Sequence, residues 1–170
     1  SIIRNNRNSL AILTGKETKE DLLQLSNDIF QYYGLGCRSV SKLFVPQDYD
    51  FDAFFEAMYH WHPIIEGAKY ANNYDYNKAV YLMSEFKMLE NGFLMVKEDP
   101  SYASPIATLF YERYESIEDL LDILDDDSDK IQCIVSNKLS EKHLAFGSTQ
   151  NPTLDDYADG IDTVDFLLKI

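Results

Sequence analysis

Residues 18–45 read TKEDLLQLSNDIFQYYGLGCRSVSKLFV and predict a helix, a glycine turn and then a buried strand. Thr18 and Asp21 form a capping-box pattern, in which each side chain can bond the backbone amide of the other residue. Apolar residues then recur at helical spacing, so we expect a helix over 18–33 that ends at the first of two glycines. The β-rich run over 40–45, closed by a proline, predicts the strand.

The same alternation of apolar strands and amphipathic helices continues on both sides of this stretch. Such alternation predicts an α/β fold, a mostly parallel sheet flanked by helices. One polar, aromatic segment rich in Asn and Asp is expected to be a loop that leads into a helix. The predicted strands cover 9–13, 40–45, 93–96, 106–111, 131–135 and 164–168, further helices begin near Asp50 and Ser116, and the loop covers 70–78.

Length and charge limit the classes of partner. At 170 residues with 45% hydrophobic content, the chain suits one compact domain over 1–170. Acidic residues outnumber basic ones 29 to 15, which disfavours nucleic acid and anionic lipid as partners. No apolar run approaches the length of a membrane span, and two cysteines without metal or disulfide spacing predict a reduced, cytoplasmic protein. The chain starts with Ser1, which is typical of a fragment or a processed protein.

Cys37 is the strongest candidate for a catalytic residue. A thiol is a nucleophile only as the thiolate, which nearby positive charge favours, and here Arg38 follows directly with Lys42 five positions on. Gly34 and Gly36 let the backbone amides near the cysteine approach a bound carbonyl, where they can stabilise an oxyanion. The alternative is that Cys37 is a small apolar residue behind a helix-terminating glycine.

Phe30, Gly34 and Cys37 reproduce the F-x-x-x-G-x-x-C pattern of the aldehyde dehydrogenases, and the basic residue and valine that follow in that pattern match Lys42 and Val45. The family usually has arginine where Lys42 stands. More narrowly, the chain resembles the fatty-acyl-CoA reductases known from bacterial bioluminescence, over nearly its whole length. The blocks that carry this resemblance are 34–46, 70–78, 104–107, 129–131 and 158–162.

The resemblance implies an acyl-CoA reductase. Such enzymes move an acyl group from CoA onto the cysteine, here Cys37, and then reduce the bound thioester to an aldehyde with NADPH or NADH. The resemblance also implies a ribose-binding glutamate, for which Glu98 is the candidate. As substrate contacts we expect Gly36 and Arg38 beside the cysteine and Lys78 at a phosphate. The full-length protein is expected to be a homo-oligomer that takes a fatty acyl-CoA.

We expect the cofactor domain of such an enzyme to be missing from this chain. None of the seven glycines forms the glycine-rich strand-to-helix turn of a dinucleotide-binding domain. The general base and the oxyanion asparagine of the superfamily would precede Ser1. The 170-residue chain alone is therefore expected to be inactive, whereas a full-length parent would reduce long-chain acyl-CoA.

Two other interpretations are open. A domain of the same fold could serve only for oligomerisation or interaction, with an unreactive Cys37. A different thiol enzyme, an acyltransferase or hydrolase, would need His60, His62 or His143 within hydrogen-bond reach of the thiol. His60 and His62 point in different directions on a predicted helix, so we expect no metal site there. Cys133, in a predicted strand without a charge partner, is expected to be a core residue.

Overall fold

The structure, a computed structural model, describes residues 7–154 and 162–168. Strands and helices alternate along these residues, and short 3₁₀ segments at Gln31–Gly34, Tyr59–Glu66 and Ser128–Lys130 join some of them. The elements are β1 (Asn8–Ile12), α1 (Lys19–Phe30), β2 (Val40–Pro46), α2 (Asp52–Met58), α3 (Ala68–Met83), β3 (Met88–Glu90), β4 (Met95–Glu98), β5 (Thr108–Tyr114), α4 (Ile117–Asp126), β6 (Ile131–Ser136) and α5 (Thr163–Leu168).

The described strands form one six-stranded sheet in the order β3-β4-β5-β2-β1-β6. Every neighbouring pair is parallel except the pair of β3 and β4. Parallel neighbours need a connection that crosses over the sheet. The connection from β1 to β2 contains α1, whereas residues 99–107 join β4 to β5 without a helix. The mostly parallel α/β fold predicted from the sequence is therefore confirmed.

Helices cover both faces of the sheet, and a separate apolar cluster fills each side. α1, α2 and α3 pack on one face around residues such as Leu43 and Leu109, while α4 packs on the other face around Phe44. Neighbouring residues of a strand alternate between the faces, which is why Leu43 and Phe44 belong to different clusters. Residues 10–13 are fully buried because both faces of β1 are covered.

The start of α1 confirms the capping box. The Thr18 hydroxyl accepts a bond from the Asp21 amide (3.1 Å), and the Asp21 carboxylate accepts one from the Thr18 amide (2.9 Å). The helix ends at Phe30, earlier than predicted, because Tyr32 and Tyr33 have left-handed backbone angles, with φ of 55° and 61°. A right-handed helix cannot continue through such residues.

The prediction of a loop over 70–78 is wrong, because these residues lie within α3. Asn and Asp side chains compete for backbone bonds in a helix interior, and this preference misled the prediction. Tertiary packing overrides it here. Tyr70, Tyr74, Asn77 and Tyr81 recur at helical spacing and form a buried stripe along α3.

The prediction for the C-terminal segment is wrong as well. Residues 164–168, predicted as a strand, belong to α5. Val164, Leu167 and Leu168 stand three and four positions apart, which suits a helix. Residues 155–161 and 169–170 lie outside the described residues, and with them most of the last block that resembles the acyl-CoA reductases. Among the described residues, no helix is long and apolar enough to cross a membrane.

Candidate active site

Cys37 lies in the tight turn that leads from α1 into β2, at the edge where the parallel strands begin. The Ser39 amide bonds the Gly36 carbonyl (2.9 Å), which places Cys37 and Arg38 at the two central positions of the turn. The Ser9 hydroxyl, at the start of β1, donates to the Cys37 carbonyl (2.9 Å). Cys37 is exposed, so a substrate can reach it.

Backbone amides of the turn are available to a ligand. Within residues 7–154 and 162–168, the amides of Gly36 and Cys37 donate no hydrogen bond to another residue. A carbonyl oxygen placed against them would therefore meet two donors. Their role as oxyanion donors, predicted from the glycines of the turn, stays a prediction.

The backbone that enters the turn is strained. Tyr32, Tyr33 and Gly34 are successive left-handed residues, with φ of 55°, 61° and 69°. Gly34 has a second reason to be glycine, since an added Cβ would lie 3.1 Å from the Ile29 carbonyl oxygen. Ala107, which lines a small cavity with Tyr33 and Gly34, also has a positive φ of 62°. Such conformations cost about 1–3 kcal/mol each outside glycine and cluster at functional sites.

A distant segment holds the turn in place. Asp28, buried near the end of α1, accepts bonds from the Gly147 amide (2.6 Å), the Thr149 amide (3.0 Å) and the Thr149 hydroxyl (2.8 Å). Burial raises the pKa of Asp28, although the bonds from Gly147 and Thr149 act in the opposite direction. Arg38, predicted as a substrate contact, donates to the Thr149 carbonyl and so ties the cysteine turn to the same segment.

Lys42 is fully buried in β2, and its charge is engaged away from the turn. Its Nζ atom forms an ion pair with Glu112 of β5 (2.7 Å) and donates to the Asp99 carbonyl. Burial lowers the pKa of Lys42, and the bond with Glu112 acts in the opposite direction. These contacts join β2 to β5 and to the loop after β4, and they give no support to a role for Lys42 beside the thiol.

The structure does not bring Glu98 to Cys37. Glu98 ends β4 in the same row of the sheet as Tyr111 of β5 and Leu43 of β2. Cys37 precedes Val40, which begins β2 and lies earlier in the strand than Leu43. With about 3.3 Å per residue along a strand and about 4.8 Å between strands, the Glu98 backbone lies about 14 Å from that of Val40. Glu98 does not contact the thiol, and its predicted ribose-binding role stays a prediction.

Lys78 and His143 contact other groups. Lys78 of α3 pairs with Glu90 of β3 (2.9 Å), and this bond raises the pKa of Lys78. His143 bonds the Ser136 hydroxyl (2.8 Å) at the carboxyl end of β6, and burial lowers the pKa of His143. Among the described residues, none forms a hydrogen bond with the Cys37 sulfur, and no group of three or more His, Cys, Asp or Glu residues could hold a metal.

The second cysteine and the paired histidines lie elsewhere. Cys133 is buried in β6, which confirms it as a core residue. His62 packs against the rings of Tyr59 and Phe93 in the 3₁₀ segment after α2. His60 faces a surface groove instead.

Two apolar grooves lie beside the left-handed residues that precede the cysteine turn, and Tyr33 lines both. The Leu35 groove has a volume of about 290 Å³ and the Trp61 groove one of about 470 Å³. Leu35, which lines the first groove, stands two residues before Cys37, so its backbone lies within about 7 Å of the cysteine backbone. No pattern in the sequence indicated either groove, because the walls come from separate elements. Besides Tyr33, the Leu35 groove is lined by Leu35, Gly67, Ala68, Lys69, Tyr70 and Ile106, and the Trp61 groove by Phe30, Tyr32, His60, Trp61, Pro63 and Ile64.

Solved structures share this arrangement of strands and helices. A mutant of the indole-3-acetaldehyde dehydrogenase AldA of P. syringae, in complex with NAD+ and IAA, matches with a TM-score of 0.56 and 11% identity, over 81% of this chain and 35% of that chain. The chain shares its fold with the aldehyde dehydrogenases. The chain also matches a Thermus thermophilus 1-pyrroline-5-carboxylate dehydrogenase, with a TM-score of 0.53 and 10% identity, over 82% of this chain and 33% of that chain. It matches the aldehyde dehydrogenase KauB of Pseudomonas aeruginosa with a TM-score of 0.52 and 11% identity, over 78% of this chain and 33% of that chain.

At identities this low, the similarity concerns the fold alone. The aldehyde dehydrogenase-like fold predicted from the cysteine pattern is confirmed. The chain spans about a third of the length of these three structures. No protein-family model matches the sequence, and no curated protein matches it significantly.

Proposed function

We propose that this chain is the cysteine-bearing domain of an NAD(P)H-dependent acyl-CoA reductase, which forms an acyl-cysteine at Cys37 and reduces it to the aldehyde. One observation carries the proposal: an exposed thiol stands on a hydrogen-bonded turn, directly after three left-handed residues and two positions from a residue that lines an apolar groove, in the fold of the aldehyde dehydrogenases. A fixed turn holds a nucleophile in one orientation, and such pre-positioning lowers the barrier to attack.

Acyl transfer uses groups at the turn. The Cys37 thiolate attacks the thioester carbonyl carbon, the oxygen takes up the negative charge, and the carbon–sulfur bond to CoA then breaks to release the CoA thiolate. The amides of Gly36 and Cys37 would bond the oxyanion. One thioester replaces another, so the step has little energetic cost. The acyl chain would lie in the Leu35 groove.

The described residues do not fit a dinucleotide cofactor. At the carboxyl end of β1, where α/β folds bind phosphates on free amides, the Glu17 carboxylate accepts the amides of Thr14 (2.6 Å) and Gly15 (3.0 Å). A carboxylate there both occupies the amides and repels phosphate. NADPH or NADH, the hydride donor of the proposed reaction, would have to be held by residues outside this chain. The 170-residue chain alone should therefore not release aldehyde.

Intact-mass measurement tests the proposal. After incubation with a long-chain acyl-CoA, the protein should gain one acyl group, and Cys37→Ala should abolish the gain. Cys133→Ala is the matched control, because it removes the other, buried cysteine and should leave the adduct unchanged. NADPH should then release aldehyde from the acylated full-length protein and not from the 170-residue chain. An adduct that persists in Cys37→Ala would refute the proposal.

The competing interpretations predict other results. A non-catalytic interaction domain would have a Cys37 that takes no acyl group from any acyl-CoA. A cysteine hydrolase or acyltransferase would need a histidine at the thiol, and none of the described histidines bonds it. Release of free fatty acid from the adduct without NADPH would nevertheless indicate a hydrolase.

A further inference from the structure

The ring of Tyr33 separates the two grooves beside the cysteine turn. It lies against the backbone at the start of α3, where a Cβ added to Gly67 would stand 3.7 Å from its Cε1 atom. The same added Cβ would stand 3.3 Å from the Ile64 carbonyl oxygen, so a larger residue than glycine would crowd this point. Gly67 lines the Leu35 groove and Ile64 the Trp61 groove, which places the ring at the boundary between them.

The backbone conformation that places this ring is strained. Tyr32 and Tyr33 both have left-handed backbone angles, although Tyr32 is 66% exposed and Tyr33 is 55% exposed. Exposed tyrosines gain little from burial, so packing in the core does not explain why they occupy a strained turn. Strain of this kind persists where the position of a side chain matters to function.

We propose that Tyr33 limits the length of the acyl chain that Cys37 accepts. This inference rests on the proposed function. A chain attached to Cys37 enters the Leu35 groove, whose volume of about 290 Å³ is small for a ligand site, and stops at the Tyr33 ring. Removal of the ring joins that groove to the Trp61 groove of about 470 Å³, and a longer chain then continues into it.

A tethered alkyl chain tests the barrier without acyl transfer. S-alkyl methanethiosulfonates attach such chains to Cys37: the thiolate attacks the sulfur bonded to the alkyl group, a disulfide forms, and methanesulfinate leaves. A Cys133→Ala background leaves Cys37 as the sole thiol. Trp61, the sole tryptophan, lines the far groove and stacks on Phe30 (centroids 5.8 Å apart), so its emission reports a chain that arrives there.

The barrier predicts a result that depends on both chain length and residue 33. With the Tyr33 ring present, propyl to dodecyl chains should leave the Trp61 emission unchanged. In Tyr33→Ala only the long chains should shift it to the blue, and Tyr33→Phe should behave as wild type. Tyr33→Gly gives a second variant that suits the positive φ, so loss of folding cannot obscure the outcome. Tyr76→Ala is the matched control, because it removes an exposed tyrosine ring of α3 that lines neither groove.

An acyl-CoA series then connects the barrier to the proposed reaction. Adduct formation in wild type should increase about fourfold per methylene up to the length that meets the ring, and Tyr33→Ala should extend the increase to longer chains. If Trp61 already responds to chain length in wild type, or if Tyr33→Ala and Tyr33→Gly alter neither emission nor chain preference, the inference is overturned. A wild type that takes no acyl group at all would instead overturn the proposed function, while the tethered chains still report on the barrier.

Discussion

Loss of the Asp28 carboxylate should destabilise the protein and loosen the cysteine turn. Asp28→Ala removes the acceptor of three hydrogen bonds, two of them from the fully buried Thr149. The Gly147 amide can regain a bond to water, whereas the two Thr149 donors cannot. At about 1–2 kcal/mol for each buried donor without an acceptor, the free energy of unfolding should fall by about 3 kcal/mol. Thr149→Val, which loses only the hydroxyl bond, should cost about 1 kcal/mol.

Urea unfolding at 25 °C, followed by Trp61 emission, measures this change. Trp61 donates to the Ser26 hydroxyl of α1 (3.1 Å), so its emission reports the helix that carries Asp28. With a denaturant dependence of about 2 kcal/mol per molar, the midpoint should fall by about 1.5 M. Glu20→Gln, an exposed change in the first turn of the same helix, is the matched control and should lower the midpoint by at most about 0.5 M. Equal midpoints for Asp28→Ala and the control would show that the segment at 147–149 does not hold α1.

Two further predictions concern a helix cap and a loop. Thr18→Ala removes the acceptor of the Asp21 amide and should lower stability by about 1 kcal/mol in the same urea assay; no loss would contradict the capping box. Burial acts to raise the pKa of Asp99, but bonds from Lys97 and Ser101 outweigh it and hold the pKa at about 2. Because this lies below the unfolded value, the charge stabilises the native state fully above about pH 4, and the contribution, at most about 2 kcal/mol, is lost as pH falls towards 2. Asp99→Asn should therefore reduce the fall in the free energy of unfolding that the urea assay measures between pH 4 and pH 2. An unchanged fall would contradict the low pKa of Asp99.

Local patterns were enough to predict most of the elements. The capping box at Thr18 joins residues three positions apart, so its bonds depend only on nearby sequence. The parallel sheet was predictable because strands and helices alternate along the chain, and only a few topologies can connect them in that order. The position of Cys37 between a helix and a strand was predictable for the same reason. The helix over 70–78 was not, because its tyrosine stripe is stabilised by partners elsewhere in the chain.

The partners of the site residues were decided by tertiary structure alone. Arg38 meets Thr149, and Lys42 meets Glu112, across separations that no local pattern encodes. For Lys42, closeness to Cys37 in the sequence was therefore a poor guide to its partners in space. By itself the sequence determined that a cysteine in a glycine turn would follow α1 in an α/β sheet. Only packing of distant elements against one another determined that Tyr33 would stand between two grooves, because a cavity wall exists only after its separate elements have met.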